Sequence, residues 1–121
     1  MKSLLSIFVG LLLISAPCFA DDWSSADTKR EVGYLTLHSI DWMQTRYISK
    51  NPSYQEDNNL IGEHPSLSRV NNYFIATALL HIGVAYLLPS ELREPFQYIT
   101  IAIELGAVAH NYQIGIKLDF P

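Results

Sequence analysis

The run from Phe74 to Leu88 constrains this chain more than any other feature. It is fifteen residues long, and His81 is the only side chain in it that charges near neutral pH. Extended back to Leu67, it reads as a helix that is apolar on all sides and not on one stripe. Such a helix is either buried in a core or crosses a membrane. The chain has 121 residues, room for one domain, so little protein remains to cover it. About 22 helical residues also match a hydrocarbon layer of about 30 Å.

Punctuation divides the rest into an all-α, three-helix pattern. A helix over about 29–49 opens on a capping box made by Thr28 and Glu31 and closes before Asn51-Pro52. The second, over about 67–88, takes Ser66 as its N-cap and stops at Pro89. The third, over about 95–118, starts at Pro95, where a missing N–H costs nothing. Residues 90–94 read as a tight turn, which makes helices two and three an antiparallel hairpin. The 50–65 segment reads as an ordered loop pinned by Tyr54, Leu60 and Ile61. In it Asn58 and Asn59 form a turn, Gly62 takes positive φ, and His64-Pro65-Ser66 leads into helix two.

The first twenty residues read as an address. Lys2 precedes the apolar run Leu4–Ile14, and small residues at Cys18 and Ala20 precede Asp21-Asp22. This is the pattern of a signal peptide cleaved after Ala20. Residues 21–121 then form a single helical domain. Cleavage removes Cys18, the only cysteine, so the mature chain has neither disulfide nor thiol nucleophile. Acidic residues outnumber basic ones, 12 to 8, and no basic tract exists, which argues against a nucleic-acid partner.

The polar residues set into these helices are the candidate site. His38, Asp41 and Thr45 share one face of helix one, with Gln44 beside it. Gln97, Glu104 and Asn111 recur at seven-residue steps on helix three. Thr77 and His81 lie four apart on helix two. Asp41, His81 and Glu104 fall near the middle of their helices, so three spans crossing one layer would bring them to a common level, facing one another and not lipid. Two readings follow. One is a buried polar network that fixes helix register. The other is a proton-handling or divalent-metal site built from Asp41, His81 and Glu104, with His38 as a fourth ligand. In the loop, Glu56, Asn58, Gly62 and His64 are candidates for partner recognition. No spacing matches a zinc, nucleotide or calcium motif, so no cofactor and no catalytic role is expected.

Asp41-x-x-Gln44-Thr45-Arg46, Glu56-x-Asn58, Gly62-x-His64-Pro65-Ser66, Tyr73-Phe74, Leu88-Pro89, Arg93, Glu104 and Asn111-x-x-x-Gly115 together resemble a group of small uncharacterised exported or membrane proteins of bacteria and their phages. The resemblance spans about residues 34–116. The E-x-N-P turn usual in that group is here Glu56-Asp57-Asn58-Asn59, without the proline. The resemblance implies a helical, membrane-associated protein and supplies no activity. The expectation is therefore an exported, non-enzymatic inner-membrane protein that contacts lipid and binds a membrane or envelope protein or a second copy of itself. A soluble periplasmic bundle is the alternative.

Overall fold

A computed structural model describes residues 22–121. The signal segment 1–20 and the cleavage after Ala20 lie outside the described residues. Three helices make up the fold: α1 (Ser25–Lys50), α2 (Leu67–Leu87) and α3 (Ser90–Gln113), with no strand among the described residues.

The first helix begins earlier than the sequence suggests. Ser24 is the N-cap: its hydroxyl accepts from the Asp27 N–H at 3.1 Å while the Asp27 carboxylate accepts from the Ser24 N–H at 2.9 Å. Thr28 is instead held by the Trp23 indole at 2.7 Å, and Glu31 is buried. At α2 the cap is Ser66, as its position before an apolar run suggests.

The third helix starts at Ser90, so residues 90–94 are its first turn and not a connector. The Leu92 and Arg93 N–H groups donate to the Pro89 carbonyl at 3.0 and 2.9 Å, which fixes that turn directly after the proline. Pro95 therefore lies inside the helix. Gly115, at φ +90°, ends α3 short of the 118 boundary, and the Ile116 N–H returns to the Asn111 carbonyl at 3.0 Å. The tail then lies along α1, where the Asp119 N–H donates to the Met43 carbonyl at 3.0 Å.

The helices are arranged around α1. It packs against both α2 and α3, while those two, though joined by two residues, touch sparsely. The hairpin is thus opened like a V, with α1 between its arms. α1 runs parallel to α3 in a constant register: Asp27 meets Arg93, Glu31 meets Gln97 and His38 meets Glu104, each 66 residues apart.

The interior mixes apolar residues, among them Tyr34, Ile48 and Ala85, with many polar ones, and many large apolar side chains lie outside. Inside lie Asp27, Glu31, His38, Gln44, Thr45, Arg46, His81, Arg93 and Gln97. Outside lie Ile75, Leu79, Ile82 and Tyr86 of α2 and Tyr98, Ile99, Ile103 and Leu105 of α3. One small apolar cluster, Ile61, Val70 and Phe74 with Trp42 and Tyr73 against it, seats the loop. Leu60, expected to pin that loop, is exposed. Gly62 takes φ +95° beside Asn58, whose carbonyl accepts from the Ile61 and Gly62 N–H groups. Among the described residues α2 alone is long and apolar enough to cross a membrane, and only 28% of that span is buried in the protein.

Candidate functional site: the polar interior

The interior is a ladder of side chains in layers, set by the parallel register of α1 and α3. At the end where both helices begin, Arg93 is fully buried. Its guanidinium donates to the Asp27 carboxylate at 2.9 Å, to the Ala85 carbonyl at 2.7 Å and to the Leu88 carbonyl at 2.9 Å. The last two are carbonyls at the end of α2, which have no partner within their own helix. One planar cation thus clamps the start of α1, the end of α2 and the start of α3. Arg30 also pairs with Asp27 and donates to Gln97 Oε1 at 2.8 Å.

One turn further along, Glu31 and His81 form a closed pair. Glu31 Oε2 lies 2.7 Å from His81 Nδ1, and Oε1 accepts from Gln97 Nε2 at 3.0 Å. His81 Nε2 is 2.7 Å from the Thr100 hydroxyl. That hydroxyl also lies 3.0 Å from the Phe96 and Gln97 carbonyls. The ring is stacked between Tyr34, at 3.4 Å, and Phe96, at 4.7 Å. Both nitrogens and both carboxylate oxygens have partners.

Two turns deeper, His38 and Glu104 form a second pair with a different outcome. His38 Nδ1 is 3.2 Å from Glu104 Oε1 and 3.3 Å from the Tyr34 hydroxyl. His38 Nε2 faces the Phe74 carbonyl at 3.1 Å and the Thr77 hydroxyl at 3.0 Å. Thr77 gives its hydrogen to the Tyr73 carbonyl at 2.7 Å. Both neighbours of Nε2 therefore accept, and Nε2 carries a hydrogen. Glu104 Oε2 is buried and no donor reaches it. The Asp41 carboxyl is a neighbour of the Glu104 carboxyl, and the two line one cleft. The Thr45 hydroxyl sits on Asp41 at 2.8 Å from its carbonyl and 3.4 Å from Oδ1. The last layer is neutral: Asn111 donates to Gln44 at 3.1 Å, and Gln44 donates to the Val108 carbonyl at 3.2 Å.

Two openings flank Glu104. A cleft of about 340 Å³ toward the loop is lined by Asp41, Glu56, Asp57, Asn58, Tyr73, Glu104 and Asn111, among others, with no lysine or arginine. A groove of about 460 Å³ between α2 and α3 has His38, Thr77 and His81 on its floor and Leu80, Val84 and Phe96 on its walls. Glu104 and Tyr73 border both. Burial holds the Glu56 carboxyl above the usual glutamate range, an effect that the Asn58 N–H partly offsets. Beside the cleft mouth, Lys50, with Arg46, holds the Asp119 carboxyl below the usual aspartate range.

The sequence-derived set is thus redistributed. Gln97, Glu104 and Asn111 do form one inward stripe, and its partners are within the chain, on α1. Asp41 and Glu104 meet. His81 does not join them; it belongs to Glu31, and His38 takes the place expected for it. Asp41, His81 and Glu104 therefore do not form a metal-ligand set, and no group of three His, Cys, Asp or Glu side chains arranged to hold a metal occurs among the described residues. Of the loop candidates, Glu56 and Asn58 line the cleft, Gly62 serves the turn, and His64 is exposed. Sequence reasoning missed Asp27, Glu31, Tyr34 and Arg93. Glu31 had a signal, since it lies seven residues before His38 and matches the step of the α3 stripe.

Comparison with known proteins adds no relative: no family model, curated protein or solved structure matches the chain.

Proposed function

We propose that this chain is a small, exported, non-enzymatic membrane protein whose three helices lie together across the hydrocarbon layer. The observation that carries this reading is a charge-free belt. The exposed charged side chains of the helices are Lys29, Glu91 and Glu94 at one end and Lys50 and Arg69 at the other. From Lys29 to the level of Gln44, where exposed His110 of α3 stands 3.8 Å from the loop's Asp57, the belt is about 23 Å tall at 1.5 Å per residue, most of the thickness of a bilayer core. Inside that belt, ionisable groups face one another. On the outer face of α1, Thr36 and Ser39 return their hydroxyls to the Val32 and Leu35 carbonyls, each at 2.7 Å. Hydroxyls satisfied within their own helix need no water.

This reading also relocates the partner surface. Gln97, Glu104 and Asn111 are engaged by α1, so another membrane or envelope protein, or a second copy, would be met through the apolar outer faces of α2 and α3. Ala102 and Gly106 are exposed there, and small residues let helices approach closely in lipid.

The test uses single cysteines introduced into the chain with Cys18→Ser. In membrane fragments open on both faces, a water-soluble maleimide should label Lys29→Cys and Lys50→Cys but not Leu79→Cys or Ile103→Cys until detergent and denaturant are added. The carbonate-washed pellet should retain the protein. Equal labelling at all four positions, or release without detergent, would overturn the membrane reading and favour a soluble periplasmic bundle with α2 and α3 covered by another subunit.

A further inference from the structure

We propose that His38, Glu104 and Asp41 form a proton-binding triad that loads and unloads one proton through the cleft between α1, α3 and the 51–66 loop. The argument is a count of hydrogens. The His38–Glu104 contact, 3.2 Å between a ring nitrogen and a carboxyl oxygen, requires a hydrogen on one of the two atoms. The Glu104 and Asp41 carboxyls are neighbours in one cleft; ionised, both only accept, so a hydrogen bond between them requires a second hydrogen. Nε2 of His38 is already committed to the Phe74 and Thr77 oxygens, and cannot supply either. No other donor reaches Glu104 Oε2. The closed triad therefore holds two exchangeable protons, one per contact, and is neutral overall wherever each proton resides.

Removing one proton leaves a net negative charge in a buried site and a single proton for His38, Glu104 and Asp41 to share. Like-charged carboxylates at this range do not both stay ionised. The groups that face the pair offer no alternative cation. On α1 they are His38 and Tyr34; on α2, Tyr73; on the loop, Glu56 and Asp57; and on α3, His110 at the cleft rim. His110 is exposed and stands 3.8 Å from Asp57. His81, across the groove, is already paired with Glu31. The proton that leaves passes to water in the cleft, and the one that returns comes from there, because Asp41 and Glu104 both line that opening. Unloading leaves one of the two α1–α3 contacts of the triad without its hydrogen and so loosens α1 from α3 at that level. Glu56 and Asn58 roof the same cleft, so the loop shares in the displacement.

Infrared titration of the full chain in detergent tests this. The unaltered protein should show a protonated-carboxyl stretch that persists at neutral pH, where an ordinary carboxyl is ionised, and that is lost as the pH is raised. It should shift in deuterium oxide without unfolding, which reports access from the cleft. Asp41→Asn and Glu104→Gln should each abolish it, because an amide supplies the missing donor. Glu56→Gln should leave it in place. Carbon-13 labelling of aspartate and of glutamate carboxyls, done separately on the unaltered chain, gives the same assignment if a variant fails to fold. Absence of the band at neutral pH, its movement with neither label, or its survival in both folded variants would each overturn the proposal.

Discussion

Two glutamate–histidine pairs sit inside one bundle, a few turns apart, and they are not equivalent. Glu31 has a donor for each oxygen, from His81 and Gln97. Glu104 has a partner for one oxygen, and its other oxygen is buried without one, with the Asp41 carboxyl as a neighbour. The first pair lies beside Arg93, a permanent cation; the second lies beside a cleft without one. The same residue types thus serve two ends: where the hydrogens are supplied by the surroundings, the pair is a fastener, and where they must come from outside, it is responsive.

The sharpest way to break that contrast is at the fastener's neighbour. Arg93→Met should have the largest effect, about 3–5 kcal/mol of lost stability, because it leaves the α2 carbonyls buried without a partner and takes from Asp27 one of its two cations; denaturant unfolding in micelles measures it. A loss under about 1 kcal/mol would mean that the clamp is dispensable. Next comes Glu31→Gln, which removes a charge-assisted bond to His81 and should cost about 1.5–3 kcal/mol. The matching change at the other pair, Glu104→Gln, should be neutral or stabilising to within about 1 kcal/mol, because its amide gives Asp41 the donor it lacks. If both glutamines cost the same, the two pairs are equivalent and the comparison fails.

Smaller effects are expected where the fold merely turns. Gly115→Ala should cost about 1 kcal/mol, since φ +90° suits glycine and the added carbon would sit 3.4 Å from the Tyr54 hydroxyl. A change below about 0.3 kcal/mol would show that the tail reversal carries no strain. The smallest effect concerns Asp119. Its carboxyl is held below the usual range by Lys50 and Arg46, so its pairing helps dock the tail above that range and is lost as pH falls through the lowered value. Protease cutting after Lys117 should therefore rise on acidification below about pH 4, and Lys50→Ala should flatten that dependence. Unchanged cutting would detach the tail from Asp119.

Helix number, the α2 ends and the polar α3 stripe were legible because each rests on local rules: a cap, a proline, a seven-residue step. The order of packing was not. A two-residue link between α2 and α3 suggests a closed hairpin, yet α1 opens it, because the polar faces of α1 and α3 satisfy each other and α2 has only Thr77 and His81 to offer. His81 was paired with the wrong carboxylates for the same reason. Mid-helix position gives depth but not rotation, and Glu31 was hidden by its apparent use as a cap. Arg93 sits so near Pro89 that it read as part of a turn.

The constant 66-residue register between α1 and α3 has a consequence in time. During synthesis the polar face of α1 emerges well before the residues that complete it. At about 5–20 residues per second, Glu31 waits on the order of 3–13 s for Gln97, and His38 waits equally long for Glu104. Over that interval α1 carries uncompensated Asp27, Glu31 and Asp41 side chains, a poor candidate for lipid by itself. On the proposed membrane reading, α2, which needs no partner to be apolar, can enter first. Biogenesis would then run out of order: of the three described helices the first made would be among the last to settle, and a chain truncated before Arg93 would leave it stranded at the water interface.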